Sequence, residues 1–227
     1  MICRSDWHVV FGPPGTGKTT FGMRYVEERL KRGVLPHQIG YISFTKQAAT
    51  EARHRAMSQF ELDPDDLPYF RTIHSLCFQQ LQLRPDKLMQ KGNWLELGEI
   101  LGVEVSGQQL NEEAYALGMP IGDRLFFLDN LARITQRSLR QVYEDTVDDD
   151  LSYDQLLIAS QALNQYKQKH MLLDFTDILE RWVEKGAAPR LQSLFVDEAQ
   201  DLSRLQWAVV HKLSQNVEEL YAAGDDD

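Results

Sequence analysis

One stretch near the N-terminus constrains the chain more than any other, because residues 12–19 match the pattern Gly-x-x-x-x-Gly-Lys-Thr. The stretch follows an apolar run at residues 7–11 and precedes a segment with helical spacing at residues 19–32. A glycine-rich turn in this position directs backbone N–H groups and the positive end of a helix dipole toward phosphate oxygens. The predicted phosphate-binding residues are Gly12, Pro13, Pro14, Gly15, Thr16, Gly17, Lys18, Thr19 and Thr20.

Side chains of this loop and two acids far along the chain complete the predicted site. The pattern places Lys18 at the β- and γ-phosphates of a nucleotide and the Thr19 hydroxyl on a magnesium ion. Such a site also needs a carboxylate at the end of another strand, and Asp197 follows the apolar residues 194–196. Glu198 comes next and would orient and deprotonate an attacking water. The second carboxylate therefore favours nucleotide hydrolysis over binding alone.

The hydrophobic pattern predicts an α/β fold with a helical insertion. Short apolar runs that read as strands occupy residues 7–11, 39–44, 69–73, 194–197 and 220–223. Three of these runs are followed by segments with helical spacing, at residues 19–32, 46–58 and 74–83. Strands that alternate with helices predict a parallel sheet covered by helices. Residues 85–165 are helix-rich without a convincing strand, so we expect one α/β domain, residues 1–84 and 166–227, interrupted by an all-helical insertion.

Composition limits which binding partners and which cellular compartment are expected. The formal net charge is −10, but residues 1–84 carry 11 Lys and Arg against 8 Asp and Glu, so we expect any nucleic-acid surface in the first third. The aspartate-rich residues 145–150 are typical of a solvated linker or helix end. Cys3 and Cys77 lie in no metal-binding cluster, which indicates a reducing compartment and no structural zinc. No apolar run is long enough for a membrane span, so a soluble, cytoplasmic protein is expected.

Six motifs in order resemble those of UvrD-like, superfamily 1 helicases. Residues 12–19 resemble the family's first motif, and residues 197–201 (DEAQD) resemble its second. Residues 43–49 (SFTKQAA) and 71–75 (RTIHS) resemble its two single-strand-contact motifs. Residues 173–179 (LDFTDIL) are similar to the segment that returns from the family's helical insertion, and residues 223–227 (AGDDD) are similar to the start of the third motif. The resemblance spans nearly the whole chain and implies a RecA-like P-loop NTPase fold.

The resemblance also implies roles for single residues. Gln200 would sense the γ-phosphate and the attacking water, so that hydrolysis is linked to movement along DNA. Phe44 would lie near a base, where stacking contributes about 1–3 kcal/mol, and Thr45, Thr72 and His74 would contact the strand's backbone. Each of these four has a structural alternative. Phe44 suits a core, the two threonines suit helix N-caps, and His74 suits a helix-start hydrogen bond.

The chain departs from the family's pattern at two places. The family commonly has glycine and an aromatic residue where this chain has Arg71 and Ile73, and Arg71 could add a phosphate contact instead. The family's glutamine-containing adenine-recognition segment should precede the first strand, yet only six residues precede Trp7. Adenine selectivity therefore does not follow from the motifs.

The expected function is that of an N-terminal motor part of an ATP-dependent 3′-5′ DNA helicase, a single-stranded DNA translocase that hydrolyses ATP with Mg2+. A second motor domain, absent from this sequence, would supply the other wall of the ATP site, so the isolated chain is expected to be weakly active. One alternative is a superfamily 1 RNA translocase, since no motif reads a 2′-hydroxyl. Another is an ATP-dependent scaffold without unwinding activity, whose acidic helical insertion binds a protein partner.

Overall fold

A five-stranded parallel sheet forms the centre of the α/β part of the molecule. The computed structural model describes residues 6–13, 16–107, 119–146, 148 and 150–225. The strands are β1 (Asp6–Phe11), β2 (Ile39–Ser43), β3 (Phe70–Thr72), β4 (Leu191–Asp197) and β5 (Val217–Gly224). They lie in the order β1-β5-β4-β2-β3, and every neighbouring pair is parallel. The predicted α/β fold is confirmed.

Helices connect the strands and form most of the rest of the described chain. They are α1 (Lys18–Lys31), α2 (Lys46–Phe60), α3 (Ile73–Gln80), α4 (Lys91–Leu101), α5 (Ile121–Ile134), α6 (Leu139–Asp145), α7 (Tyr153–His170), α8 (Phe175–Lys185) and α9 (Arg204–Ser214). Helical crossovers are required because parallel strands cannot be joined by tight turns. Among the described residues, no helix is both long and apolar enough to cross a membrane.

The central strands are buried along most of their length because helices cover the sheet. All five residues of β2 are buried, and so are six of the seven in β4. Helix α1 approaches the sheet closely through Gly22, where an added Cβ would come within 2.9 Å of the Phe195 ring and 3.0 Å of the Tyr41 ring. This contact fixes the helix that starts at the phosphate loop.

The helical part has its own core and a cluster of buried charges. Leu128, Leu156 and Leu163, on α5 and α7, are fully buried within this core. Arg133 on α5 forms ion pairs of 2.7 Å with Asp174 and 2.6 Å with Asp177, and the Lys167 ammonium lies 2.6 Å from Asp174. The cluster joins α5, α7 and the start of α8.

The described contacts divide the chain into two compact units. One comprises Met1–Gln82 with Arg181–Asp227, and the other comprises Leu83–Glu180. The first boundary between the units lies at 82/83, two residues before the predicted boundary at 84/85. The second boundary lies at 180/181 rather than at 165/166. The difference arises because α7 continues to His170, and because Arg133 on α5 forms ion pairs with Asp174 and Asp177.

Candidate active site

The glycine-rich loop joins β1 to α1, as its pattern predicts. The Thr16 hydroxyl donates a hydrogen bond of 2.7 Å to the Pro13 carbonyl oxygen, which closes the turn. A side chain at Gly12 would place its Cβ 2.7 Å from that hydroxyl. Gly17 has φ 87° and ψ 27°, a left-handed conformation that suits glycine, and α1 begins at the next residue. Pro14 and Gly15, also predicted to bind phosphate, lie outside the described residues.

The Lys18 ammonium points back across the loop. It donates to the carbonyl oxygens of Gly12 at 2.8 Å and Pro13 at 3.4 Å, and it forms an ion pair with Asp225 just beyond β5. The hydrogen bond with Asp225 raises the pKa of Lys18, which remains charged at neutral pH. Sequence reasoning placed Asp225 at the start of a motif without giving it a role. The signal available in the sequence was its position two residues after the strand predicted at residues 220–223.

Asp197 ends β4 as a buried carboxylate with 2% of its surface exposed. One carboxylate oxygen accepts a 2.5 Å hydrogen bond from the Tyr41 hydroxyl, and the other accepts a 3.1 Å bond from the Glu198 backbone N–H. Burial raises the pKa of Asp197. Thr19 is partly buried in the first turn of α1, whereas Thr20 is exposed.

The donor types of Thr19 and Asp197 fit magnesium. A hydroxyl and a carboxylate are oxygen donors of the kind that Mg2+ prefers, and the ion usually completes its shell with phosphates and water. Among the described residues, no group of three or more His, Cys, Asp or Glu side chains could hold a metal ion. That finding is compatible with a magnesium site that takes only two protein ligands and its remaining ligands from a nucleotide.

Glu198 and Gln200 form the turn after β4. Glu198 adopts a left-handed backbone conformation, φ 52° and ψ 46°, which is uncommon outside glycine. The Gln200 side chain donates a 2.7 Å hydrogen bond to the Glu198 carboxylate, and its carbonyl oxygen accepts a 3.1 Å bond from the Asp225 backbone N–H. Gln200 therefore connects the acidic turn to the residue that pairs with Lys18.

The predicted DNA-contact residues lie at the same edge of the sheet, after β2 and β3. Phe44 is partly buried, not part of the core. Thr45 and Thr72 are N-caps, and their hydroxyls accept from the N–H groups of Ala48 at 3.1 Å and Ser75 at 3.2 Å. Capping leaves each hydroxyl proton available for a further acceptor.

His74 and Arg71 complete this second group. Burial lowers the pKa of His74 to about 4, so its imidazole is neutral at pH 7. The Arg71 guanidinium donates at 2.6 Å to the Pro68 carbonyl oxygen and at 3.3 Å to the Ser75 hydroxyl.

The strand register explains how the structure brings the two groups of residues to one edge. Ser43 pairs with Thr72 on one side and with Asp197 on the other, so a single strand, β2, separates the predicted hydrolysis residues after β4 from the predicted DNA-contact residues at β3. Ligands of open parallel sheets bind at the carboxyl ends of the strands. Both predicted sites lie at that edge.

The fold and the loop together define a phosphate-loop nucleotide-binding domain of the RecA-like class. The chain belongs to the UvrD/REP helicase N-terminal domain family, whose sequence model matches residues 3–227. The resemblance seen in the motifs is confirmed.

Several curated proteins are similar to the chain. A probable DNA helicase II homologue of Mycoplasma genitalium is 24% identical over 100% of this chain and 34% of that protein. A probable DNA helicase of Mycoplasma pneumoniae is 26% identical over 99% of this chain and 45% of its own length. The ATP-dependent DNA helicase PcrA of Bacillus subtilis is 24% identical over 94% of this chain and 30% of that protein. The chain thus spans less than half the length of these relatives.

Proposed function

We propose that the chain is the ATP-binding motor part of an ATP-dependent DNA helicase that moves 3′-5′ along single-stranded DNA and works in the cytoplasm. The observation that carries the proposal is the convergence of Lys18, Glu198 and Gln200 at the carboxyl edge of one parallel sheet. Family membership and the similarity to DNA helicases, one of them named as ATP-dependent, support the choice of ATP and DNA.

Binding of ATP begins at the loop. The backbone N–H groups of the loop and the start of α1 meet the phosphates, and Lys18 exchanges its ion pair with Asp225 for the β- and γ-phosphate oxygens. Thr19 and Asp197 would hold Mg2+, which neutralises the charge that develops on the phosphate oxygens. The buried position of Asp197 keeps its carboxylate fixed at the end of β4.

Hydrolysis uses the turn after β4. A water oxygen attacks the γ-phosphorus, the bond from that phosphorus to the β-γ bridging oxygen breaks, and Glu198 takes the proton of the water. Gln200 already contacts Glu198 and Asp225, so a change at the γ-phosphate alters its hydrogen bonds on both sides. Through these two hydrogen bonds, hydrolysis would alter other residues at the carboxyl edge of the sheet.

The contact residues after β2 and β3 form part of the DNA track. Phe44 offers a partly exposed ring for base stacking, while Thr45, Thr72 and the neutral His74 provide hydrogen bonds to the strand's backbone. A second motor domain would complete the ATP site and supply an arginine, whose absence costs on the order of 10³-fold or more in rate. We therefore expect the chain alone to hydrolyse ATP slowly and not to unwind duplex DNA.

The site is tested by nucleotide binding and turnover. Lys18→Ala should remove most MgATP affinity, whereas Glu198→Gln should bind MgATP and fail to hydrolyse it. Unchanged binding in Lys18→Ala would overturn the site, and unwinding by the chain alone would overturn its description as one part of a motor.

Substrate and direction are tested on the full-length protein. Single-stranded DNA should stimulate its ATPase more than RNA does, and it should displace a protein block from the 5′ end of a DNA strand faster than one from the 3′ end. Stimulation by RNA alone would favour the RNA translocase, and no turnover with either would favour the scaffold.

A further inference from the structure

Tyr41 is a buried tyrosine whose hydroxyl meets the site carboxylate. It lies on β2 and has none of its surface exposed. Its ring stacks on Phe70 with centroids 5.6 Å apart and on Phe195 with centroids 5.1 Å apart. The hydroxyl donates to an Asp197 carboxylate oxygen at 2.5 Å.

The register of the sheet explains why this contact forms. Tyr41 pairs with Phe195 across the two strands, and Ser43 pairs with Asp197. Asp197 therefore lies two residues further along the sheet, about 6.6 Å at the usual rise of a parallel strand. A tyrosine spans that distance, whereas a shorter side chain at the same position would leave the carboxylate without this donor.

The contact fixes the carboxylate from two directions. Tyr41 donates to one oxygen and the Glu198 N–H donates to the other at 3.1 Å. Each carboxylate oxygen has a further lone pair, so both hydrogen bonds leave room for a metal ion or its water. The stacked rings on either side keep the tyrosine hydroxyl in place.

We propose that Tyr41 is a positioning residue for the magnesium site, which holds the Asp197 carboxylate in the orientation that binds the ion or its water. The inference rests on the proposed nucleotide function and adds to it a residue that none of the motifs includes. Hydrogen-bond partners of metal-binding carboxylates orient them, and loss of such a partner typically weakens metal binding 10- to 100-fold. A purely structural tyrosine would change stability and leave the magnesium dependence unaltered.

The test is the magnesium dependence of nucleotide binding in Tyr41→Phe, which keeps the stacked ring and removes only the hydroxyl. A fluorescent ATP analogue is titrated against the chain at a series of Mg2+ concentrations and in the presence of a chelator. The Mg2+ concentration for half-maximal binding should rise about tenfold or more, while the affinity without metal stays within about twofold. The metal-free affinity also shows that the loop of the variant is folded.

Tyr25→Phe is the matched control. Tyr25 is also buried, with 4% of its surface exposed, and its ring centroid lies 6.1 Å from that of Phe195. Unlike Tyr41, it lies on α1 and not on the strand beside Asp197. This variant should keep the wild-type magnesium dependence.

The outcomes separate the two proposals. If Tyr41→Phe keeps the wild-type magnesium dependence, or both tyrosine variants shift it equally, the positioning role of Tyr41 is overturned while the nucleotide site stands. If the wild-type chain binds the analogue no better than Lys18→Ala does, the proposed function fails and the inference fails with it.

Discussion

The ion pair between Lys18 and Asp225 predicts that one conservative substitution has opposite effects on stability and on nucleotide binding. A lysine ammonium has three N–H donors. In the structure they donate to the carbonyl oxygens of Gly12 and Pro13 and to the Asp225 carboxylate. A phosphate that reaches Lys18 must therefore replace one of them, and Asp225 is the one that carries a competing negative charge. Asp225→Asn removes this charge and keeps the size of the side chain.

The size of both effects follows from the burial of the pair. The Lys18 and Asp225 side chains are 9% and 16% exposed, so solvent screens the pair only in part. A hydrogen bond between charged groups contributes about 1.5–3 kcal/mol and a neutral one about 1 kcal/mol, so the variant should lose about 1 kcal/mol of stability. Release of Lys18 and loss of repulsion toward phosphate should strengthen ATP binding by about 1–2 kcal/mol, roughly 5- to 30-fold.

Two measurements on the same protein check the prediction. Urea unfolding without ligand gives the change in stability, and titration with a fluorescent ATP analogue at fixed excess Mg2+ gives the change in affinity. Glu28→Gln is the control, since it removes a negative charge from α1 in an exposed pair with Arg32. Weaker nucleotide binding in Asp225→Asn, without loss of stability, would refute the reasoning and make Asp225 a contributor to the ligand site.

The remaining predictions concern stability and are measured by urea unfolding. Arg133→Met should destabilise the helical unit by about 3 kcal/mol because it leaves only Lys167 to compensate the Asp174 and Asp177 carboxylates, and a loss below about 1 kcal/mol would contradict this. His74, with a pKa of about 4, stays neutral in the folded chain and binds a proton in the unfolded chain below pH 6.5. Stability should therefore fall by about 1–2 kcal/mol from pH 7 to pH 5, and equal pH dependence in His74→Gln would exclude this cause. Gly22→Ala should cost about 1–3 kcal/mol because its Cβ meets the Phe195 ring, whereas Gly92→Ala, with no atom within 4 Å of its Cβ, should be neutral or stabilising.

The sheet and the loop could be predicted because their signals are local. Each strand overlaps one of the short apolar runs predicted from the sequence, and the loop needs glycine where the chain turns into α1, as the left-handed Gly17 shows. The N-capping alternative for Thr45 and Thr72 is also a local pattern, and the structure contains both caps. The DNA roles of these threonines stay predictions.

Contacts between distant segments could not be predicted in the same way. The partners in the pairs Lys18–Asp225 and Tyr41–Asp197 are separated by 207 and 156 positions, so only the strand order brings them together. The return from the helical unit was expected where strand-like sequence resumes. The ion pairs of Arg133 with Asp174 and Asp177 instead keep residues 166–180 with α5. The spacing of apolar residues along the sequence does not reveal these ion pairs.

The left-handed backbone at Glu198 has a practical consequence for engineering. A side chain in this conformation costs roughly 1–2 kcal/mol that glycine does not incur. A library screened only for heat resistance would therefore enrich glycine or asparagine at position 198 and discard the proposed catalytic base. Stabilised versions of this chain should be selected with position 198 held constant, since tolerance to heat and turnover of ATP favour different residues there.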